Sequence, residues 1–251
     1  MQQQRRQSIP FTSQDNGRKR TKVNFVDIVV CFRFICGAIK YYFSFRKIKA
    51  KKVLLAPGAY VNLHSLITHL CPEKPDLTLT TQTVAYLEVT PNEADRLKDM
   101  PTACTDYPFG KLDGTYILPP ILYPDGKCYL KLGHGDHFEQ IVTDEKFMEK
   151  WYTDGKGDPE AVDALTEFIQ TFVPSLRFES VHGGCCVTSN TPKKLAPFID
   201  EIYPGLILAA GGCGYAAKSS DEIGRLAAVL STTGEWDTDL PKEDFQVVWK
   251  Q

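Results

Sequence analysis

The sequence lacks a Cys-x-x-Cys pair, a His-Glu-x-x-His helix and any zinc-finger spacing among its five histidines, His64, His69, His134, His137 and His182. A zinc site therefore has no pattern to rest on. Cysteine itself is sparse, eight in 251 residues, far below the density of a secreted disulfide scaffold, so reduced thiols are the default. The formal net charge is only −2, which gives no electrostatic case for a nucleic-acid partner. The longest apolar stretch, Ile28 to Ile39, is twelve residues long and broken by Arg33, whereas a membrane-spanning helix needs about 20. No membrane partner is expected. Residues 1–22 are polar and basic, without the apolar core or cleavage site of a signal peptide, and read as a disordered leader. The C-terminal VVWKQ carries no SKL-type peroxisomal signal, and a cytoplasmic location is the expectation.

What is present is a core-forming chain with 43% apolar residues, long enough for one large domain or two small ones. Val53 to Ala56 is a short apolar strand that runs into a Pro-Gly turn, an arrangement that brings backbone close to a ligand at Ala56 and Gly58. The segments LTLTTQTVAYLEV, TYILPP and KCYLKLG are β-rich and separated by turn residues, which predicts one antiparallel sheet with a short helix near PNEADRLKDM. DPEAVDALTEFIQTFVP predicts a helix capped by Asp158, with Val162, Leu165, Phe168, Ile169 and Phe172 on the face that covers this sheet. Further on come a strand through VHGGCCVTSNTP, a strand GLILAAG, the turn GGCGYAAK, and a helix with a capping box from Ser219 to Glu222.

A glycine turn between strand and helix presents backbone N–H groups to an anion. Gly212 to Ala217 matches G-x-G-x-x-A, but no apolar strand precedes Glu235 or Asp237, so the nicotinamide fingerprint lacks its second half. Tight strand-to-helix packing is the other reading. Cys185 and Cys186 are adjacent, a spacing that strains a mutual disulfide. Two roles fit the pair better, one a small apolar filler and the other a nucleophile, a metal ligand or the attachment point of a cofactor. Two buried strand cysteines remain the plain alternative.

Taken together, VLLAPGAY, TYILPP, YLKLGHG, CCVTSNTP and LILAAGGCGYAAKSSDEIG, from Lys49 to about Leu230, resemble the flavin-dependent amine and amino-acid oxidases of the monomeric sarcosine oxidase and pipecolate oxidase type, within the D-amino-acid-oxidase superfamily. The resemblance implies a mixed α/β chain: an FAD-binding fold of the glutathione-reductase type with an antiparallel-sheet substrate domain. It implies that Cys186 carries FAD through a thioether, with His182, Lys193 or Lys194 available to favour the thiolate, and that Cys185 faces the core. It further implies that Lys131 is the cation linked to reaction with oxygen and that Tyr116 is an active-site tyrosine. Lys218 would pair with the substrate carboxylate, and Gly211, Gly212, Cys213 and Gly214 would form the flavin-ring turn. His134 or Gly135 stands where the family has its active-site histidine, and His137 is a possible substitute. A strand-end lysine and a core tyrosine are the plain alternatives for Lys131 and Tyr116.

Nothing before Lys47 matches the family's strand, GxGxxG and helix. The resulting expectation is a C-terminal part: a leader over 1–47, edges of the cofactor domain over 48–65 and 181–234, the substrate domain over 66–180, and a tail over 235–251. Expected partners are an amine or amino acid, sarcosine- or pipecolate-like, and oxygen, with imine and hydrogen peroxide as products. Two rival expectations are a truncated chain, inactive by itself, that serves as a binding or regulatory domain, and a stand-alone thiol protein without flavin.

Overall fold

Strand-forming residues at alternating positions dominate from Val26 onward. A computed structural model describes residues 26–35, 41–62, 67, 70–193 and 196–251, with backbone alone for 26–49. Met1–Lys51 and Lys52–Gln251 form separate units. In the first, β1 (Val26–Ile35) and β2 (Tyr41–Ala50) make an antiparallel hairpin paired from Val26 opposite Ala50 to Ile35 opposite Tyr41. The apolar stretch at Ile28 thus enters a strand. The leader expectation for residues 1–25, and Lys194, lie outside the described residues.

The second unit begins with β3 (Val53–Leu55), followed by a single 3-10 turn, Gly58–Asn62. The long strand β4 (Thr78–Val89) alternates: Leu79, Thr81, Thr83, Ala85, Leu87 and Val89 are all buried on one face. Thr90 then accepts a hydrogen bond from the Glu93 N–H at 3.2 Å and, with Pro91 at the first turn, starts α1 (Pro91–Arg96). Next come β5 (Ala103–Thr105), β6 (Thr115–Leu122) and β7 (Cys128–His134). The register of β6 against β7 shifts between Leu118 and Ile121, where Pro119 and Pro120 have no N–H to give the ladder.

Asp144 caps α2 (Glu145–Asp154), which ends on Gly155 in the left-handed region, φ 68°. Asp158 caps α3 (Pro159–Phe172), accepting from the Glu160 N–H at 2.9 Å as its sequence predicts. Ala161, Leu165, Phe168 and Ile169 of this helix pack on Ala85, Leu87, Ile117, Leu130 and Leu132 of the sheet. Each of the Leu, Ile and Phe side chains contributes about 1.5–3 kcal/mol by leaving water. Phe172 differs from expectation: it sits in the last turn, 45% exposed, stacked on Phe168.

β8 (Ser180–Asn190) pairs with β4 along its whole length, from Ser180 opposite Glu88 to Asn190 opposite Thr78. The sheet order is β5-β6-β7-β4-β8, antiparallel throughout. The cysteine strand therefore continues the middle sheet. β9 (Phe198–Tyr203) and β10 (Leu206–Ala210) complete a separate three-stranded sheet, β3-β10-β9, in which β10 runs parallel to β3 and antiparallel to β9. β10 is apolar on both faces because both are covered: Leu206 and Leu208 pack on Val61 and Phe198, while Ile207 packs on Leu226, Ala227 and Leu230 of α4 (Ser220–Thr232). The expected capping box does not form. Ala216–Ser219 is a 3-10 turn that runs straight into α4, Ser219 makes no side-chain cap bond, and Glu222 is held instead by Arg225.

Candidate active site

Period-two alternation sorts the predicted residues onto faces. The face of the five-stranded sheet turned away from α3 carries, in adjoining register positions, Lys131 opposite Tyr86 opposite His182; Tyr116 opposite Gly133 opposite Val84 opposite Gly184; and Gln82 opposite Cys186. Tyr116, Lys131 and Cys186 thus share one face. Two glycines make its floor. A Cβ at Gly133 would stand 2.2 Å from the Tyr116 ring, and one at Gly184 2.7 Å from the Tyr86 ring, so each tyrosine lies flat where a side chain would otherwise rise. Burial, with Cys186, Tyr86 and Tyr123 adding to it, pushes the Tyr116 phenol up to about 12. It stays protonated, a donor, at neutral pH.

His134 falls on the other face. Its Nε2 accepts the Thr83 N–H at 3.0 Å, its Nδ1 bonds the Gly135 carbonyl, and it packs on Phe138. Burial holds its pKa below the ordinary histidine value. Lys131 and His134 are three residues apart in one strand, an odd interval that puts them on opposite faces. The structure therefore does not bring His134 to Tyr116, Lys131 and Cys186; it is a neutral, core-facing ring. His137 is exposed against Phe138.

The two cysteines also divide. Cys185 Sγ donates to the Trp151 carbonyl of α2 at 3.5 Å, while the Trp151 indole N–H donates to the Cys186 carbonyl at 3.0 Å. The Cys186 thiol projects from the site face. Desolvation by its surroundings raises its pKa, the Lys131 ammonium draws it back down, and Cys185 adds to the rise. The cation that favours the thiolate is thus Lys131. The expected neighbours are engaged elsewhere, His182 stacked 5.1 Å from Tyr86 and Lys193 bonded to the Glu243 carbonyl. Lys131 itself lies 5.6 Å from the centre of the Tyr86 ring. Glu139, bonded to Gln82, brings a carboxyl whose pKa is raised by burial beside the cross-strand partner of Cys186.

The glycine turn meets the same strand further along. Gly211, Cys213 and Gly214 have φ of 81°, 51° and 72°. The Cys213 N–H donates to the Ser189 carbonyl at 2.9 Å, and its buried sulphur accepts from the Thr191 N–H at 3.4 Å, so Cys213 faces inward and pins the turn to β8. A Cβ at Gly214 would lie 3.6 Å from Thr188, two positions beyond Cys186. Since β3 and β10 are parallel, Ala56 and Gly58 leave the three-stranded sheet at the same carboxyl edge as Gly211–Gly214, the edge at which open α/β sheets bind ligands. Lys218 lies in a separate cleft of about 360 Å³ lined by Pro197, Gly212, Tyr215, Ala216, Ser219 and Ile223, its ammonium 4.9 Å from the Tyr215 ring centre. Of the predicted residues only Gly212 shares that cleft with it.

Residues 35–230 match the model of the DAO family, FAD dependent oxidoreductases. The chain belongs to this family. Monomeric sarcosine oxidase of Arthrobacter sp. (strain TE1826) is 24% identical over 206 residues, 80% of this chain and 48% of that protein. Monomeric sarcosine oxidase of Bacillus sp. (strain B-0618) is 25% identical over 194 residues, 76% of this chain and 45% of that one. Among solved structures, Amadoriase I (fructosyl amine:oxygen oxidoreductase) of Aspergillus fumigatus superposes with a TM-score of 0.56 at 18% identity, over 81% of this chain and 44% of that one. L-proline dehydrogenase of P. horikoshii gives 0.55 at 18% identity, over 87% and 52%. The chain spans about half the length of these proteins. The mixed α/β fold with an antiparallel sheet, expected from sequence, is the fold they share. No helix among the described residues is long and apolar enough to cross a membrane, and no group of three or more metal-ligating side chains occurs among them.

Sequence reading missed Tyr86, Gln82, Glu139 and Trp151. The first two carried a signal: each lies opposite a predicted site residue in a paired strand. Trp151 and Glu139 reach the site from separate segments, with no local pattern to announce it.

The glycine floor makes a stability prediction. At Gly183, on the α3 side, an added Cβ would stand 2.0 Å from the Lys156 backbone oxygen, which cannot swing away. Gly183→Ala is expected to destabilise by about 1–3 kcal/mol, read as a lower urea midpoint. Gly133→Ala meets only the movable Tyr116 ring, so it should cost less and instead lower the phenol's titration midpoint as the ring is pushed toward solvent.

Proposed function

We propose that this chain forms the substrate side and the flavin-ring side of an FAD-dependent oxidase acting on a secondary amine or amino acid, sarcosine- or pipecolate-like, with oxygen as acceptor and imine and hydrogen peroxide as products. The observation that carries this reading is the convergence of Tyr116, Lys131 and Cys186 on one sheet face, with the glycine turn pinned to the same strand. The residue types fit the cofactor: a thiol open to solvent, a half-buried cation beside it, and a backbone turn free of Cβ crowding at a carboxyl sheet edge. FAD, when bound, supplies the acceptance of hydride equivalents and the reaction with oxygen. Cys186 would hold it covalently; Gly211–Gly214, Ala56 and Gly58 would approach it with backbone.

The chain's own contributions follow from their surroundings. Lys131 places a positive charge where negative charge develops during reduction of oxygen. Tyr116, protonated at neutral pH, donates a hydrogen bond into the site. Lys218 offers an ammonium to a substrate carboxylate from its own cleft. Lys218→Met is expected to raise KM for amino acids while sparing amines without a carboxylate, because a charge-assisted hydrogen bond is lost. Equal loss for both classes would assign Lys218 a structural part.

The deciding experiment is the visible spectrum and peroxide output of the flavin-loaded protein with sarcosine, pipecolate and a panel of amino acids. Flavin absorbance with amine-dependent peroxide would support the oxidase reading for this chain. Bound flavin with no turnover of any amine would favour a binding or regulatory domain, and a reactive thiol without yellow colour would favour a thiol protein.

A further inference from the structure

β8 is an outer strand of its sheet. The carbonyl of Cys186, opposite Gln82 in the β4 ladder, also accepts from the Trp151 indole N–H at 3.0 Å, and the neighbouring Cys185 thiol returns a bond to the carbonyl of the same tryptophan at 3.5 Å. We infer that Trp151 is a positioning residue for Cys186: the two bonds form a reciprocal clamp that fixes the Cys186 side chain on the site face and keeps Cys185 out of reaction. The inference takes its purpose from the reading of Cys186 as the flavin attachment point.

Adjacent strand residues point to opposite faces, so one α2 residue can be gripped by the thiol of Cys185 and by the backbone of Cys186 without touching the Cys186 thiol. That gives the vicinal pair a division of labour that a single cysteine could not supply. A thiol is a weak donor, but here it acts together with a good indole donor on a short stretch of edge strand. The surrounding charges act in the same direction. Asp154 of α2 disfavours the thiolate at Cys185, while Lys131 of β7 favours it at Cys186. The remaining titratable groups around the pair are Tyr86 of β4, Tyr116 of β6 and Tyr152 of α2.

The test uses the chain without cofactor. Limiting iodoacetamide followed by peptide mass spectrometry gives the ratio of Cys186 to Cys185 modification, and the buried thiols Cys71 and Cys213 report any loss of fold. In the wild type Cys186 should react first. Trp151→Phe keeps the ring but removes the N–H, and should reduce that preference by about fivefold, the scale of one intramolecular hydrogen bond, with Cys71 and Cys213 still protected. An unchanged ratio with those two protected would overturn the clamp. Should Trp151→Phe expose Cys71 and Cys213, Cys185→Ala decides: amide exchange over 185–187 should quicken by a similar factor while Cys185→Ser, which keeps a donor, restores the wild-type rate. Equal exchange in the Ala and Ser variants would overturn the clamp as well. In the flavin-loaded protein Trp151→Phe should lower the acid-resistant share of the flavin. The attachment reading is judged separately, by Cys186→Ser, so the two can fail independently.

Discussion

Replacing Cys186 by Ser is expected to leave an acid-precipitated pellet of the flavin-loaded protein colourless, whereas the Cys185→Ser pellet should stay yellow. If Cys186 is the attachment point proposed above, the contrast is all or none, because a thioether survives denaturation and non-covalent contacts do not. Its basis is the alternation of β8. Cys186 stands on the face of Tyr116 and Lys131, and Cys185 is bonded to α2 on the other side. Electrostatics reinforces the choice, since the thiolate is the reactive form of a cysteine and only Cys186 has Lys131 drawing its pKa down. A yellow Cys186→Ser pellet with a colourless Cys185→Ser pellet would reverse the assignment. Loss of colour in both would mean that the strand, and not one sulphur, is what matters.

The second large effect is expected at Lys131. Lys131→Met should slow reoxidation of the reduced flavoprotein by about 100- to 1,000-fold, equivalent to about 2.7–4 kcal/mol for a well-placed group in a water-poor site, and should change reduction by substrate far less. Stopped-flow absorbance separates the two half-reactions. The side chain is half-buried within β7, its ammonium rests over the Tyr86 ring, and among the described residues no carboxylate lies within ion-pair distance of it. Among the described residues, therefore, no fixed anion takes up its charge. An independent check needs no flavin: because Lys131 lowers the Cys186 pKa, Lys131→Met should move the pH midpoint of Cys186 alkylation upward. Equal slowing of both half-reactions, with an unmoved thiol midpoint, would place Lys131 outside the site.

Local chemistry made much of this legible in the sequence. Asp158 and Pro159 announce α3, the alternation of LTLTTQTVAYLEV announces β4 with one buried face, and the apolar run before Gly211 announces a strand covered on both sides. The same alternation, carried through KLGH, separates His134 from Lys131, so the misplaced histidine was a matter of parity rather than of hidden information. Other features had weaker signals. α2 buries only Met148, too little for a periodic pattern to stand out, although its Asp144 cap and Gly155 stop are in place. The Ser219 box failed because a cap needs extended backbone, and the preceding 3-10 turn leaves Ser219 at ψ 13°. The Trp151 bonds join residues 35 and 34 positions apart, and nothing short of the folded sheet brings them together.

Tyr116 and Gly133 face each other across two strands, and the ring of one occupies the volume a side chain on the other would need. The two positions are therefore coupled. A lineage that gains a side chain at 133 must move the aromatic ring at 116 toward solvent or give it up, and one that has lost the ring is released from the requirement for glycine. In a double-mutant cycle Gly133→Ala and Tyr116→Ala should accordingly be non-additive, the second change relieving the first. The same reasoning applies to Tyr86 and Gly184. Divergent chains are thus expected to exchange these pairs as units, so a change in the shape of this site would show itself as paired substitution at positions 17 and 98 residues apart, more clearly than as drift at any single residue.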